Sequence, residues 1–261
     1  MQVLITGGSS GIGLAVAKLY GARGAQIALL GRDSAKLDAA AGEVKASGAS
    51  EVETIACSVT DDTELSQALS DYVARCGLPD LVLNAAGIVG VGEFVDLDPA
   101  LYRATIETDL MGTVAVCRFF APLMIKRGSG HIANIASVAG YMGIYGYSAY
   151  SAAKFAVMGL SEALRFELKP HGVQVHVLCP PDTQTPGFAE EVRQRPAATA
   201  RISGNLKPVS PELVAHALVR GVDRNKYYII PGALSKFYFR LKGIWPEIYL
   251  WIVDGDVKKA V

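Results

Sequence analysis

The chain has 261 residues, 51% of them hydrophobic and 19% charged, with 25 basic side chains against 25 acidic ones. That length and apolar content suit one large α/β core and exclude a disordered chain. Zero net charge without a polybasic run argues against nucleic acid as a partner. Cys57, Cys76, Cys117 and Cys179 are far apart with no CxxC spacing, so they read as reduced thiols, and no metal is expected. Residues 3–6 already read as a core strand, and no run reaches the roughly 20 apolar residues of a membrane span. A cytoplasmic chain without a leader is expected.

Short apolar runs at 3–6, 26–30, 53–57, 81–84, 131–136, 174–178 and 227–230 read as strands. Between them, helices are expected near 12–23, 34–47, 62–75, 99–126, 151–168 and 211–223. Several strands are continuously apolar, as in a parallel sheet covered on both faces. The alternation predicts a Rossmann-type, doubly wound α/β sheet of about seven strands. No repeat or linker marks a second large domain. Residues 1–232 form the expected nucleotide-binding domain, with a long loop at 180–211, and 233–261 form a tail.

The first strand ends in Thr6-Gly7-Gly8-Ser9-Ser10-Gly11-Ile12-Gly13, which opens the first helix. Gly7, Gly11 and Gly13 let the backbone turn tightly and approach a pyrophosphate, and the helix N-terminus adds amide donors. Ser9, Ser10 and Ile12 belong to the same seat. The second strand ends in Gly31-Arg32, where an acid would hold the 2′-hydroxyl of NAD. Glycine leaves room there, and Arg32 can fork a 2′-phosphate, so NADP(H) is the expected cofactor. The competing reading is a surface arginine paired with Asp33.

Tyr150-Ser151-Ala152-Ala153-Lys154 places a phenol and an ammonium one helical turn apart on one face. A tyrosine titrates near pH 10 when unperturbed, too high for a base at neutral pH. A neighbouring ammonium favours the phenolate and so lowers that value. These residues, with TGxxxGxG, Asn84-Ala85-Ala86-Gly87 and Ser137 thirteen residues before Tyr150, resemble the short-chain dehydrogenase/reductase family over about residues 3–232.

The resemblance implies that Tyr150 is the general acid/base, that Lys154 tunes it and holds the nicotinamide ribose, and that Ser137 orients the carbonyl. It further implies that Ser58, Val59, Asn84, Ala85, Gly87, Pro180, Thr183 and Thr185 lie along the cofactor. It carries the expectation of a homodimer or homotetramer through the helices near 99–126 and 151–168. Two positions depart from the family pattern. Asp109 stands where Asn is usual; as the fourth member of the catalytic group it keeps the backbone carbonyl that the family uses, while its carboxylate can pair with Lys154 and weaken the lysine's effect on Tyr150. Ser58 stands where an Asp usually meets the adenine.

The stretch Pro180-Pro181-Asp182-Thr183-Gln184-Thr185-Pro186-Gly187-Phe188, with Tyr147-Ser148-Ala149-Tyr150, resembles the branch of the family that reduces the long-chain sphingoid ketone 3-oxosphinganine to sphinganine. The rivals are another lipid or steroid ketone oxidoreductase and a non-catalytic NADP(H)-binding sensor or scaffold. In the tail, Leu234, Phe237, Tyr238, Leu241, Ile244, Trp245, Ile248 and Trp251 recur at helical spacing among Lys236, Arg240 and Lys242. That pattern suits peripheral contact with the cytosolic face of a membrane, or packing over the substrate cleft.

Overall fold

Seven parallel strands form one sheet in the computed structural model, which describes residues 1–203 and 207–260. Residues 204–206 of the expected 180–211 loop and residue 261 of the tail lie outside the described residues. The strands are β1 (Gln2–Thr6), β2 (Gln26–Gly31), β3 (Glu51–Ala56), β4 (Leu81–Asn84), β5 (Gly130–Ile135), β6 (Val173–Leu178) and β7 (Tyr228–Ile229). Their order is β3-β2-β1-β4-β5-β6-β7, so the winding direction reverses between β1 and β4. A crevice opens outside the carboxyl ends of the strands at such a reversal.

Side chains alternate across the strands and feed two cores. Val3, Ile5, Ile27 and Leu29 pack with α1 (Gly11–Gly21), α2 (Ser34–Ala46) and α9 (Pro211–Asp223) on one face. Leu4, Leu30, Val82 and Ile132 pack on the other with α3 (Asp62–Cys76), α5 (Gly112–Arg127) and the end of α6 (Ser148–Leu168). Helices on both faces explain why these strands are continuously apolar in sequence.

The helix expected over 99–126 runs from Pro99 to Arg127 without a break, but a π turn divides it. α4 (Pro99–Ile106) and α5 are joined by a π turn, Glu107–Met111, in which Asp109 is the buried residue. Its carboxylate is bound from inside the fold, and Gly112 sits so close to Val59 that an added Cβ would meet Val59 Cγ2 at 2.6 Å. By length and composition Pro99–Arg127 is apolar enough to cross a membrane, although charged residues interrupt it. Val116, Phe120 and Met124 from it are wholly buried in the sheet-side core.

The stretch after β6 is also more ordered than a loop. It contains α7 (Pro186–Gln194) and α8 (Ala197–Ser203), which stand over the carboxyl edge of the sheet. Thr185 caps α7 through Phe188 N, and Pro186 fills the first helical position. The tail forms α10 (Ala233–Ile244) and α11 (Pro246–Ala260), the break falling before Pro246. Tyr141 Oη donates to Ser235 O at 2.9 Å, Phe239 packs on Tyr141, and Arg201 of α8 reaches Ala260 O at 2.6 Å. The tail is therefore folded onto the domain and braces α8.

Candidate active site

A cavity of about 720 Å³ runs along the carboxyl edge of the sheet and collects most of the expected site. At one end are Gly7, Ser9, Ser10, Gly11, Ile12 and Gly13. Gly7 and Gly11 have positive φ (64° and 56°), a conformation that a side chain would strain. An added Cβ on Gly13 would lie 2.4 Å from Gly7 O, so only glycine lets α1 close onto its own turn. Ser10 is the N-cap of α1 but makes no side-chain cap bond, and the first turn holds no acid. Free amide donors, a free hydroxyl and an unopposed helix terminus fit a pyrophosphate.

Arg32, Ser58, Val59, Ala85 and Gly87 line the same cavity. Asp33 is not spent on Arg32: it accepts from Lys36 N at 3.1 Å, capping α2, and pairs with Lys36 Nζ at 3.4 Å. Lys36 also lines the cavity, a second cation that the sequence reading passed over. Ser58 Oγ lies 2.9 Å from Thr60 Oγ1 and accepts from Thr60 N. Asn84 is placed differently. It is buried, donates to Asn134 Oδ1 at 2.8 Å, and lies beneath the cavity rather than in its lining. The loop above it is fixed by Thr6, whose hydroxyl accepts from Ala85 N and Ala86 N at 3.1 Å each.

Ser137, Tyr150 and Lys154 meet in the middle of the cavity. Ser137 follows β5 in extended conformation, and its Oγ accepts from Ala139 N at 3.1 Å. The hydroxyl proton is thereby left to point elsewhere. Tyr150 and Lys154 share a face of α6, with Lys154 Nζ 5.4 Å from the centre of the Tyr150 ring. Lys154 is buried, donates to Ile135 O at 3.0 Å and pairs with Asp109 Oδ2 at 3.0 Å. Asp109 Oδ1 accepts from Ile88 N at 2.8 Å. The substitution of Asp for Asn therefore creates a buried ion pair at the foot of the site.

Electrostatics correct one expectation. Burial pushes the Tyr150 phenol above its ordinary value; Lys154 pulls it down, as anticipated, while Asp109 pushes it up and the Ser137 hydrogen bond favours the phenolate. The net direction from the chain's own groups is upward. Burial alone would lower the Lys154 ammonium, but Asp109 and Tyr150 outweigh it and hold it above the usual lysine range. Burial raises the Asp109 carboxyl against the pull of Lys154 and the Ile88 amide.

Over this group sits the lid. Pro180, Thr183 and Thr185 line the cavity; Thr183 Oγ1 donates to Pro181 O at 2.7 Å, and the Thr185 methyl lies where a Cβ on Gly11 would come within 3.0 Å. An unanticipated network fastens the lid to the catalytic helix. Tyr147 Oη donates to Glu191 Oε1 at 2.5 Å, and Arg195 binds both Glu191 and Asp182. No local pattern announces it, because Tyr147 and Glu191 are 44 residues apart.

Asp109→Asn removes a negative charge that raises the Tyr150 phenol. The pH profile of alcohol oxidation, which rises as that phenol ionises, is expected to move toward acid. An unchanged or alkaline-shifted limb in the kcat/KM profile would contradict this electrostatic reading.

A family model described as short chain dehydrogenase matches residues 1–196. A 3-ketodihydrosphingosine reductase of Dictyostelium discoideum is 34% identical over 267 residues, covering 91% of this chain and 80% of its own. One of Bos taurus is 36% identical over 230 residues, covering 87% of this chain and 69% of its own. A solved short-chain dehydrogenase from Sphingobium yanoikuyae in complex with NADPH has a TM-score of 0.80 at 27% identity, covering 95% of this chain and 94% of that one. With the glycine-rich turn, Ser137, Tyr150 and Lys154 assembled along one sheet edge, the chain belongs to the short chain dehydrogenase family.

Proposed function

We propose that this protein reduces the ketone of 3-ketodihydrosphingosine to sphinganine, with NADPH as the reductant. The observation that carries the reading is the convergence of Ser137, Tyr150 and Lys154 in one cavity roofed by the Pro180–Phe188 segment and the tail. The curated relatives at about a third identity are named for this reaction. The dihydronicotinamide, when bound, supplies the hydride. The chain's own groups handle the oxygen and its proton. The Ser137 hydroxyl, oriented by Ala139 N, hydrogen-bonds the ketone oxygen and favours charge developing there. Tyr150, protonated at neutral pH, donates its phenolic proton to that oxygen. Lys154, fixed by Ile135 O and Asp109, favours the phenolate left behind.

NADPH preference is supported by Arg32, which stands exposed beside the end of β2 with Asp33 committed to Lys36. Peripheral contact with a membrane, on its cytosolic face, is supported by the tail's outer side. Leu241 and Tyr249 are buried, whereas Phe237, Ile244, Trp245, Ile248, Leu250 and Trp251 are exposed. Aromatic and aliphatic side chains with Lys236 and Arg240 nearby suit the headgroup boundary. Such a surface also suits a substrate that resides in lipid.

In detergent micelles the purified protein should oxidise NADPH with 3-ketodihydrosphingosine in strong preference to a steroid ketone or a short ketone. Tyr150→Phe should abolish this turnover while binding NADPH normally; equal activity in both proteins sinks the mechanism, and preference for a comparator sinks the substrate. Arg32→Ala should raise KM for NADPH about tenfold or more and leave NADH nearly unchanged, as loss of one charge-assisted contact implies. Parallel changes for both cofactors would mean that Arg32 does not read the 2′-phosphate. Flotation with anionic phospholipid vesicles should carry the wild type upward but leave Ile248→Ser/Trp251→Ser behind, and co-flotation of both would refute the interfacial tail.

A further inference from the structure

Glu191 is an unusual residue to find on a lid over a ketone site. Its side chain is only 11% exposed, and it faces the cavity that holds Ser137 and Tyr150. The hydrogen bonds it accepts, from Tyr147 Oη and from Arg195, fall on Oε1. Arg195, 9% exposed, is shared with Asp182 at 2.9 Å and lies over the Phe188 ring at 4.9 Å. Two carboxylates thus face one guanidinium, which leaves this corner with an excess negative charge.

The corner is close to the chemistry. The Tyr147 and Tyr150 rings are 6.3 Å apart, and the charge of Glu191 is among the influences that raise the Tyr150 phenol. The other charged groups lining the cavity are differently placed or already matched. Asp109 is neutralised by Lys154, Asp33 by Lys36, Arg32 stands at the far, nucleotide end, and Lys207 is exposed in the irregular stretch before α9.

A sphingoid ketone carries an ammonium on the carbon next to its carbonyl. Once the ketone oxygen is held by Ser137 and Tyr150, that ammonium is drawn under the lid with it. An ammonium taken out of water without an anion is costly, so the cleft must supply one. We infer that Glu191, positioned by Tyr147 and Arg195, is the subsite that receives the ammonium of a 2-amino ketone, and that it makes the enzyme selective for amino ketones over plain ketones. The inference rests on the proposed substrate class and names the residue that reads it. The apolar lining from Met142, Ile144, Leu234 and Tyr238 is left for the alkyl chain.

The test compares 3-ketodihydrosphingosine with 1-hydroxyoctadecan-3-one, which lacks only the amine. Wild type should favour the amino ketone in kcat/KM. Glu191→Gln keeps the size of the side chain and can still accept from Tyr147 and Arg195. Its effect on the Tyr150 phenol and the lid acts on both ketones alike, so the reading is the ratio: the amino ketone should lose about tenfold to a hundredfold more than the plain ketone, as loss of a bond to a charged group implies. Glu191→Asp, which restores the charge on a shorter arm, should recover part of the preference. Equal loss on both ketones, or no loss on either, overturns the subsite while leaving the substrate reading intact. Failure of the wild type to turn over 3-ketodihydrosphingosine at all, with the plain ketone still reduced, overturns both.

Discussion

Everything at this site depends on keeping one ammonium charged where water is scarce. Lys154 is buried on α6, and an isolated ammonium there would lose its proton or destabilise the fold. Two elements prevent that. The end of β5 turns the Ile135 carbonyl toward it, and the π turn between α4 and α5 brings Asp109 to 3.0 Å. Asp109 is itself anchored by Ile88 N on the loop after β4. Three chain segments therefore converge on one cation, and the cation fixes the electrostatics of the phenol beside it.

The carboxylate gives the arrangement a direction. A neutral side chain at position 109 would let Lys154 act on Tyr150 with its full charge. Asp109 cancels part of that field and adds a repulsion of its own toward the phenolate. Burial acts in the same sense. A protonated Tyr150 is an acid, which suits reduction of a ketone better than oxidation of an alcohol. The negative corner at Glu191 and Asp182 adds to this tendency from the lid side. Groups on two sides of the phenol thus act on its ionisation in the same sense.

The features legible from sequence are those written in neighbouring residues. Strand positions followed from short apolar runs, the tight turn into α1 from Gly7, Gly11 and Gly13, and the shared face of Tyr150 and Lys154 from their spacing. What was hidden depends on contacts between distant segments. The stretch 99–126 reads as one helix because a π turn leaves no local mark, yet that turn delivers Asp109. Asn84 belongs to a recognisable segment, but its neighbour Asn134, fifty residues on, draws the side chain beneath the cavity. The link from Tyr147 through Glu191 to Arg195 joins a catalytic helix to a lid, and the stretch that forms that lid reads as a loop. The sign of the Lys154 effect was accessible from charge alone, but the net direction at Tyr150 required knowing how deeply the group is buried.

The claim at the centre of this account is that the buried charge of Lys154 governs the ionisation of Tyr150. The direct measurement is an ultraviolet difference titration of the phenol in the complex with oxidised nicotinamide cofactor, using Tyr150→Phe as the blank. Wild type should show one tyrosine ionisation that Lys154→Met either loses or displaces to markedly higher pH. The same ionisation at the same pH in both proteins would contradict the account, and would leave Lys154 as a ribose contact without influence on the acid.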